Sequence, residues 1–126
     1  MRQLISSRTA FEQAAAYSRA VVIDGWIFVS GTMGSDPETG ALPPDFAAQC
    51  RNAFAIIEKA LVEAGATLAD TVQVRVFLAD RADVGVLVPI LKEKFADIMP
   101  ANTTLIAAMP AEAARIEIEL IARKGA

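Results

Sequence analysis

The sequence predicts an α+β fold, a sheet with two helices packed on one of its faces. Three observations carry this. Two short apolar runs are joined by Asp24-Gly25, two longer stretches repeat apolar residues every three or four positions, and Arg115 to Ala122 alternates apolar with mostly charged residues. The first is a strong hairpin signal, the second marks amphipathic helices, and the third marks a strand with two unlike faces. Strands come first, then helix, strand, helix and two more strands, an order that gathers both helices on one side of the sheet.

Leu4 and Ile5 offer an N-terminal strand, and Ala20 to Ile23 and Trp26 to Ser30 flank the Asp24-Gly25 turn. Gly31 to Pro44 reads as loop, with turn chemistry from Asp36-Pro37-Glu38-Thr39-Gly40. Asp45 is an N-cap for a helix running to Ala64 and stopped by Gly65; its buried stripe is Phe46, Cys50, Phe54 (or Ala53), Ile57 and Leu61. Thr71 to Leu78 is a β-branched strand with Val72, Val74 and Val76 on one side and Gln73 and Arg75 on the other. A second helix spans roughly Val84 to Ile98 with the stripe Val84, Leu87, Leu91, Phe95 and Ile98; Pro89 requires either a late start or kinked first turns. Strands at Thr103 to Ala108 and Arg115 to Ala122 close the chain. In the last, Ile116, Ile118 and Leu120 go under the helices, turning Arg115, Glu117 and Glu119 to the opposite face.

The 126 residues are read as one domain, 1–126, with an aliphatic core: 54 % are hydrophobic but only 6 % aromatic. That apolar excess points to surface buried between subunits. A net charge of -3 without a Lys/Arg run disfavours nucleic acid as a partner. The absence of histidine and the single Cys50 exclude Ser-His-Asp, Cys-His and zinc-water chemistry together. What remains is carboxylates, hydroxyls, guanidinium or amine groups, and the backbone. Neither a signal-peptide core nor a membrane-length run is present, so the expected location is cytoplasmic.

The motifs, taken in order, resemble one family. Ala16-Tyr17-Ser18-Arg19-Ala20, Phe28-Val29-Ser30-Gly31, Val76-Phe77-Leu78-Ala79-Asp80, Met99-Pro100-Ala101-Asn102-Thr103-Thr104 and Ile116-Glu117-Ile118-Glu119 together resemble the Rid/YjgF family of small imine and enamine deaminases, over nearly the whole chain. The resemblance implies a chorismate-mutase-like trimeric barrel, with a mixed six-stranded sheet and two helices per subunit and active sites in the clefts between subunits. It also implies a small-molecule substrate, hydrolysed without cofactor or metal.

On that resemblance Glu117 matches the glutamate that activates water, and Tyr17 and Ser30 match pocket residues. Read alone, Tyr17 serves equally as an amphipathic residue at the core edge, Ser30 as a turn residue, and Glu117 as part of a solvated strand face. Asn102 stands where the archetypal members carry an arginine that grips a substrate carboxylate, Thr104 takes a cysteine or small polar position, and Val88 replaces a common asparagine. The chain therefore resembles a diverged subgroup. Arg19 and Arg75 are the candidates for a substitute cation, each also readable as an ion-pair partner. Two further readings stand beside a deaminase: a trimer that binds a small molecule without turnover, and an endoribonuclease or translation inhibitor, against which the acidic charge argues.

Overall fold

The computed structural model describes residues 1–126. Six strands form one mixed sheet: β1 (Gln3–Ile5), β2 (Ala20–Ile23), β3 (Trp26–Met33), β4 (Thr71–Leu78), β5 (Ala101–Ile106) and β6 (Ile116–Arg123), in the spatial order β1-β2-β3-β6-β4-β5. Only the β4–β5 pair is parallel. Three helices join them: a short α1 (Ala10–Ala15), α2 (Phe46–Glu63) and α3 (Val84–Phe95).

The β2–β3 hairpin turns at Asp24 and Gly25, with φ of 51° and 80°, as a two-residue turn that follows the twist of its strands requires. Helix α2 begins where the Asp45 carboxylate accepts the Ala48 N–H at 2.9 Å and ends before Gly65 at φ +85°. The expected stripe is buried whole, Ala53 and Phe54 both included, and Phe54 meets Phe95 of α3 edge to face at 5.7 Å between ring centres. With Val29, Val74, Val76, Ile116, Ile118 and Leu120 these residues form the core between the helices and one sheet face. Gln49 is buried beside them as a clamp. Its amide donates to the carbonyls of Pro43 (2.7 Å) and Ala113 (3.0 Å) and accepts the Arg115 N–H (2.8 Å).

Several expectations are corrected. Val72 faces solvent, because β4 carries an extra residue between Thr71 and Gln73 where it pairs with β6, and the bulge turns Thr71 inward in its place. Strand β3 does not stop at Ser30: one extra residue between Val29 and Thr32 shifts its register, and pairing with β6 resumes through Met33. Arg115 leaves the Glu117 face and instead donates to Asp83 at 2.7 Å and to the Pro44 carbonyl at 3.0 Å. Helix α3 starts at Val84 despite Pro89. Lacking an N–H, Pro89 leaves the carbonyl of Gly85 without its helical donor. Within α3, Ile90 is buried while Val84 stays at the surface. Helix α1 was not anticipated.

Candidate functional site

The helix-free face of the sheet holds the site. Along β6 the side chains of Glu117 and Glu119 alternate with the core residues and point away from them. Across the strand pairs Glu117 stands opposite Phe77 of β4 and Met33 of β3, and Glu119 opposite Arg75. After β5 the chain passes over the end of β4, with the Ala107 N–H donating to the Leu78 carbonyl at 2.9 Å. Gly31, Phe77, Ala107, Ala108, Met109, Glu117 and Glu119 thus enclose an open cleft of about 300 Å³.

The bulge of β3 shapes its floor. A Cβ at Gly31 would overlap Oε1 of Glu117 and stand 3.0 Å from Cδ, so glycine lets the carboxyl lie flat against the strand. Burial pushes the Glu117 carboxyl above the usual carboxylate range, Glu119 pushes it further, and Arg19 partly opposes both. A carboxylate raised in this way is a better-matched base near neutral pH, provided it stays ionised.

Arg19 lies beneath the cleft, and its side chain is only 7 % exposed. Nη1 donates to the Gly31 carbonyl at 2.9 Å and to Thr32 Oγ1 at 3.1 Å; Nη2 donates to Glu12 Oε2 at 3.3 Å and Tyr17 Oη at 3.4 Å; Nε donates to Ser7 Oγ at 3.3 Å. A guanidinium has five N–H groups, and each has an acceptor. Expected among the ligand-binding residues, Arg19 is placed outside the lining of the cleft with no donor to spare.

Tyr17 is half-buried beside it, stacked edge to face on Phe11 at 6.0 Å. Ser30 sits in the bulge, its hydroxyl donating to the Ser18 carbonyl at 2.6 Å. Arg75 is loosely paired with Glu119 at 3.9 Å, lining a small crevice next to the main cleft. Asn102 and Thr104 lie on β5, hydrogen-bonded to each other at 2.9 Å. Their register partners are Val74 and Val76, which face the core, so within one chain Asn102 and Thr104 point to the opposite face from Glu117. One copy brings Glu117, Ser30 and Arg19 together, but not Asn102 or Thr104. Gly31, Phe77, Met109 and Glu12 are not among the residues that the sequence singles out for the site. A glycine inside a strand is itself a bulge signal, and Thr9 three residues before Glu12 is a capping pattern. No group of three or more His, Cys, Asp or Glu side chains is arranged to hold a metal ion, and no helix is long and apolar enough to cross a membrane.

Residues 7–124 match the family model described as Endoribonuclease L-PSP. A rat protein named 2-iminobutanoate/2-iminopropanoate deaminase is 38 % identical over 127 residues, 99 % of this chain and 92 % of its own. The chain belongs to the Rid/YjgF family. Among solved structures, a member of the YjgF/YER057c/UK114 family from Mycobacterium tuberculosis superimposes with a TM-score of 0.89 at 37 % identity, covering 98 % of this chain and 99 % of that one. A Rid-family protein from Yersinia pestis does so at 0.88 with 27 % identity, covering 98 % and 99 %. Their likeness confirms the YjgF-like fold, six strands in a mixed sheet with two long helices on one side.

Proposed function

We propose that this Rid/YjgF chain is a cofactor-independent deaminase of a small imine, the tautomer of an enamine. The observation that carries the reading is the half-buried Glu117 carboxyl laid against the Gly31 bulge in an open cleft with Phe77 and Met109. The ionised carboxylate takes a proton from a water molecule as the oxygen bonds to the imine carbon. That proton passes to nitrogen, giving the carbinolamine R2C(OH)NH2; the carboxylate then takes the hydroxyl proton and returns it to nitrogen as the C–N bond breaks, so that R2C=NH + H2O gives R2C=O + NH3. The names of the 35–38 % identical rat and cattle relatives support this class of reaction.

The cleft is completed by a second copy in a homotrimer. Support comes from the helix-free face, where Trp26 and Phe28 are exposed, and from β5, an edge strand exposed along its whole length. An edge from a neighbouring copy can bring Asn102 and Thr104 to a Glu117 that its own chain keeps on the other face. No Lys or Arg lines the cleft, and residues 101–114 contain none. An imino acid carboxylate therefore meets two glutamates and an amide instead of a cation, and a neutral imine is the better fit.

The loss of a cation at Asn102 also favours a second reading, a trimer that binds a small molecule without turning it over. Imines generated in situ by an amino-acid oxidase, together with carboxylate-free analogues, separate the two when ammonia release is measured. Release by the wild type that falls to background in Glu117→Ala supports the deaminase. Binding in a thermal-shift screen without release supports the second reading, and equal release by both proteins removes Glu117 from the mechanism.

A further inference from the structure

We infer that Arg19, braced by Glu12, is a positioning residue that holds the Ser30–Gly31 bulge in the place where it seats the Glu117 carboxyl. The inference rests on the role proposed for Glu117 but adds a group that never touches substrate. Both ends of the bulge are tied to Arg19, and the Ser30 end to Ser18 as well. The Ser30 N–H donates to the Arg19 carbonyl at 2.9 Å and the Ser30 hydroxyl to the Ser18 carbonyl, while the guanidinium takes the Gly31 carbonyl and the Thr32 hydroxyl. Thr32 in turn donates to the Ser30 carbonyl at 2.7 Å. A bulge leaves ladder groups unpaired, and here a side chain satisfies them.

A buried guanidinium is costly unless its charge is met, and Glu12 meets it. The Glu12 side chain is 3 % exposed and also accepts from the Ser6 hydroxyl (3.1 Å), the Ser7 N–H (3.2 Å) and the Ser7 hydroxyl. Burial raises its carboxyl, but Ser7, Ser6 and Arg19 outweigh that and hold it below the usual range, ionised. The arrangement runs Glu12, Arg19, Gly31 carbonyl, then Gly31 Cα against Glu117. Arg19 thereby also sets the charge behind the carboxyl. The other charged groups about Glu117 are Glu119 on its own strand and Arg75 on β4. Tyr17 and Glu12 stand behind Arg19, and β5 with Ala107–Met109 contributes none.

The test is a carbon-13 NMR titration of the glutamate carboxyls in full-length wild type, Arg19→Gln and Arg19→Lys, with Glu117 assigned by its loss in Glu117→Gln, alongside imine-hydrolysis kinetics. Arg19→Gln is expected to titrate Glu117 at higher pH than the wild type and to lower kcat on the order of 10- to 100-fold with KM little changed. Arg19→Lys restores the titration but not kcat, because one ammonium cannot reach Gly31, Thr32, Glu12 and Tyr17 together. An unchanged Glu117 titration in a cooperatively melting Arg19→Gln protein overturns the inference. If that variant does not fold, Glu12→Gln carries the test: unneutralised Arg19 should move the Glu117 titration down, and no movement overturns the inference equally. The titration needs no turnover, so failure to find a hydrolysed imine counts against the proposed reaction and leaves this result to stand or fall alone.

Discussion

Adding one methyl group at Gly31 separates seating of the carboxyl from stability. In Gly31→Ala the new Cβ would overlap Glu117 Oε1 and lie 3.0 Å from Cδ and 3.3 Å from Cγ. No backbone atom is among these nearest contacts, and Gly31 does not have a positive φ, so the strand accepts alanine. Relief comes from the carboxyl retreating by about 1 Å, a displacement that in a catalytic group is worth on the order of 100-fold in rate. At 1.36 kcal/mol per decade this is about 2.7 kcal/mol of transition-state stabilisation. The fold loses little, since the lower entropy of an unfolded alanine returns about 0.4–1 kcal/mol. The assay is kcat/KM for hydrolysis of the best imine found, paired with urea denaturation. A loss of about 100-fold with a midpoint near wild type is expected. Wild-type kcat/KM in Gly31→Ala would refute the idea that contact with this glycine places Glu117.

The same exchange at Gly34 should behave oppositely. There a Cβ would overlap the backbone of Gln49 at the start of α2, which cannot move aside, and Gly34→Ala should cost about 3 kcal/mol or more by denaturation. Stability should depend on Glu117 through pH. Its carboxyl is raised in the folded state, so its contribution is full below the unfolded carboxylate pKa and is lost as pH rises through the folded value. Glu117→Gln should therefore melt above the wild type at pH 7, with the gap closing below pH of about 4. Cys50 is buried in α2 with its thiol pushed up to about 11, so a disulfide reagent should label it only at the rate of unfolding.

Elements announced by local chemistry were readable from the sequence. Asp24-Gly25, Asp45 and Gly65 fix a hairpin and both ends of α2 within a few residues each. The bulge at Val72 has no local cue, and although Gly31 inside a strand hints at the other, the extra residue in each is defined only against its partner on β6. Helix α1 has an alanine-rich sequence with no apolar period, and its cue is the Thr9 side chain accepting the Glu12 N–H. In the site, the alternation in β6 told which way Glu117 points. It could not tell that Arg19 is spent on Glu12, Gly31 and Thr32, contacts 7 to 13 residues away in the chain. Nor could the sequence assign a face to Asn102, because β5 is exposed on both sides and its register comes from β4.

The pH dependence of imine hydrolysis tests the central claim most directly. A general base with a raised carboxyl gives kcat/KM an acid limb at a pH above the ordinary glutamate range, and Glu117→Gln removes that limb together with most of the rate. A limb that persists in Glu117→Gln, or a wild-type profile flat through that region, would show that another group activates the water.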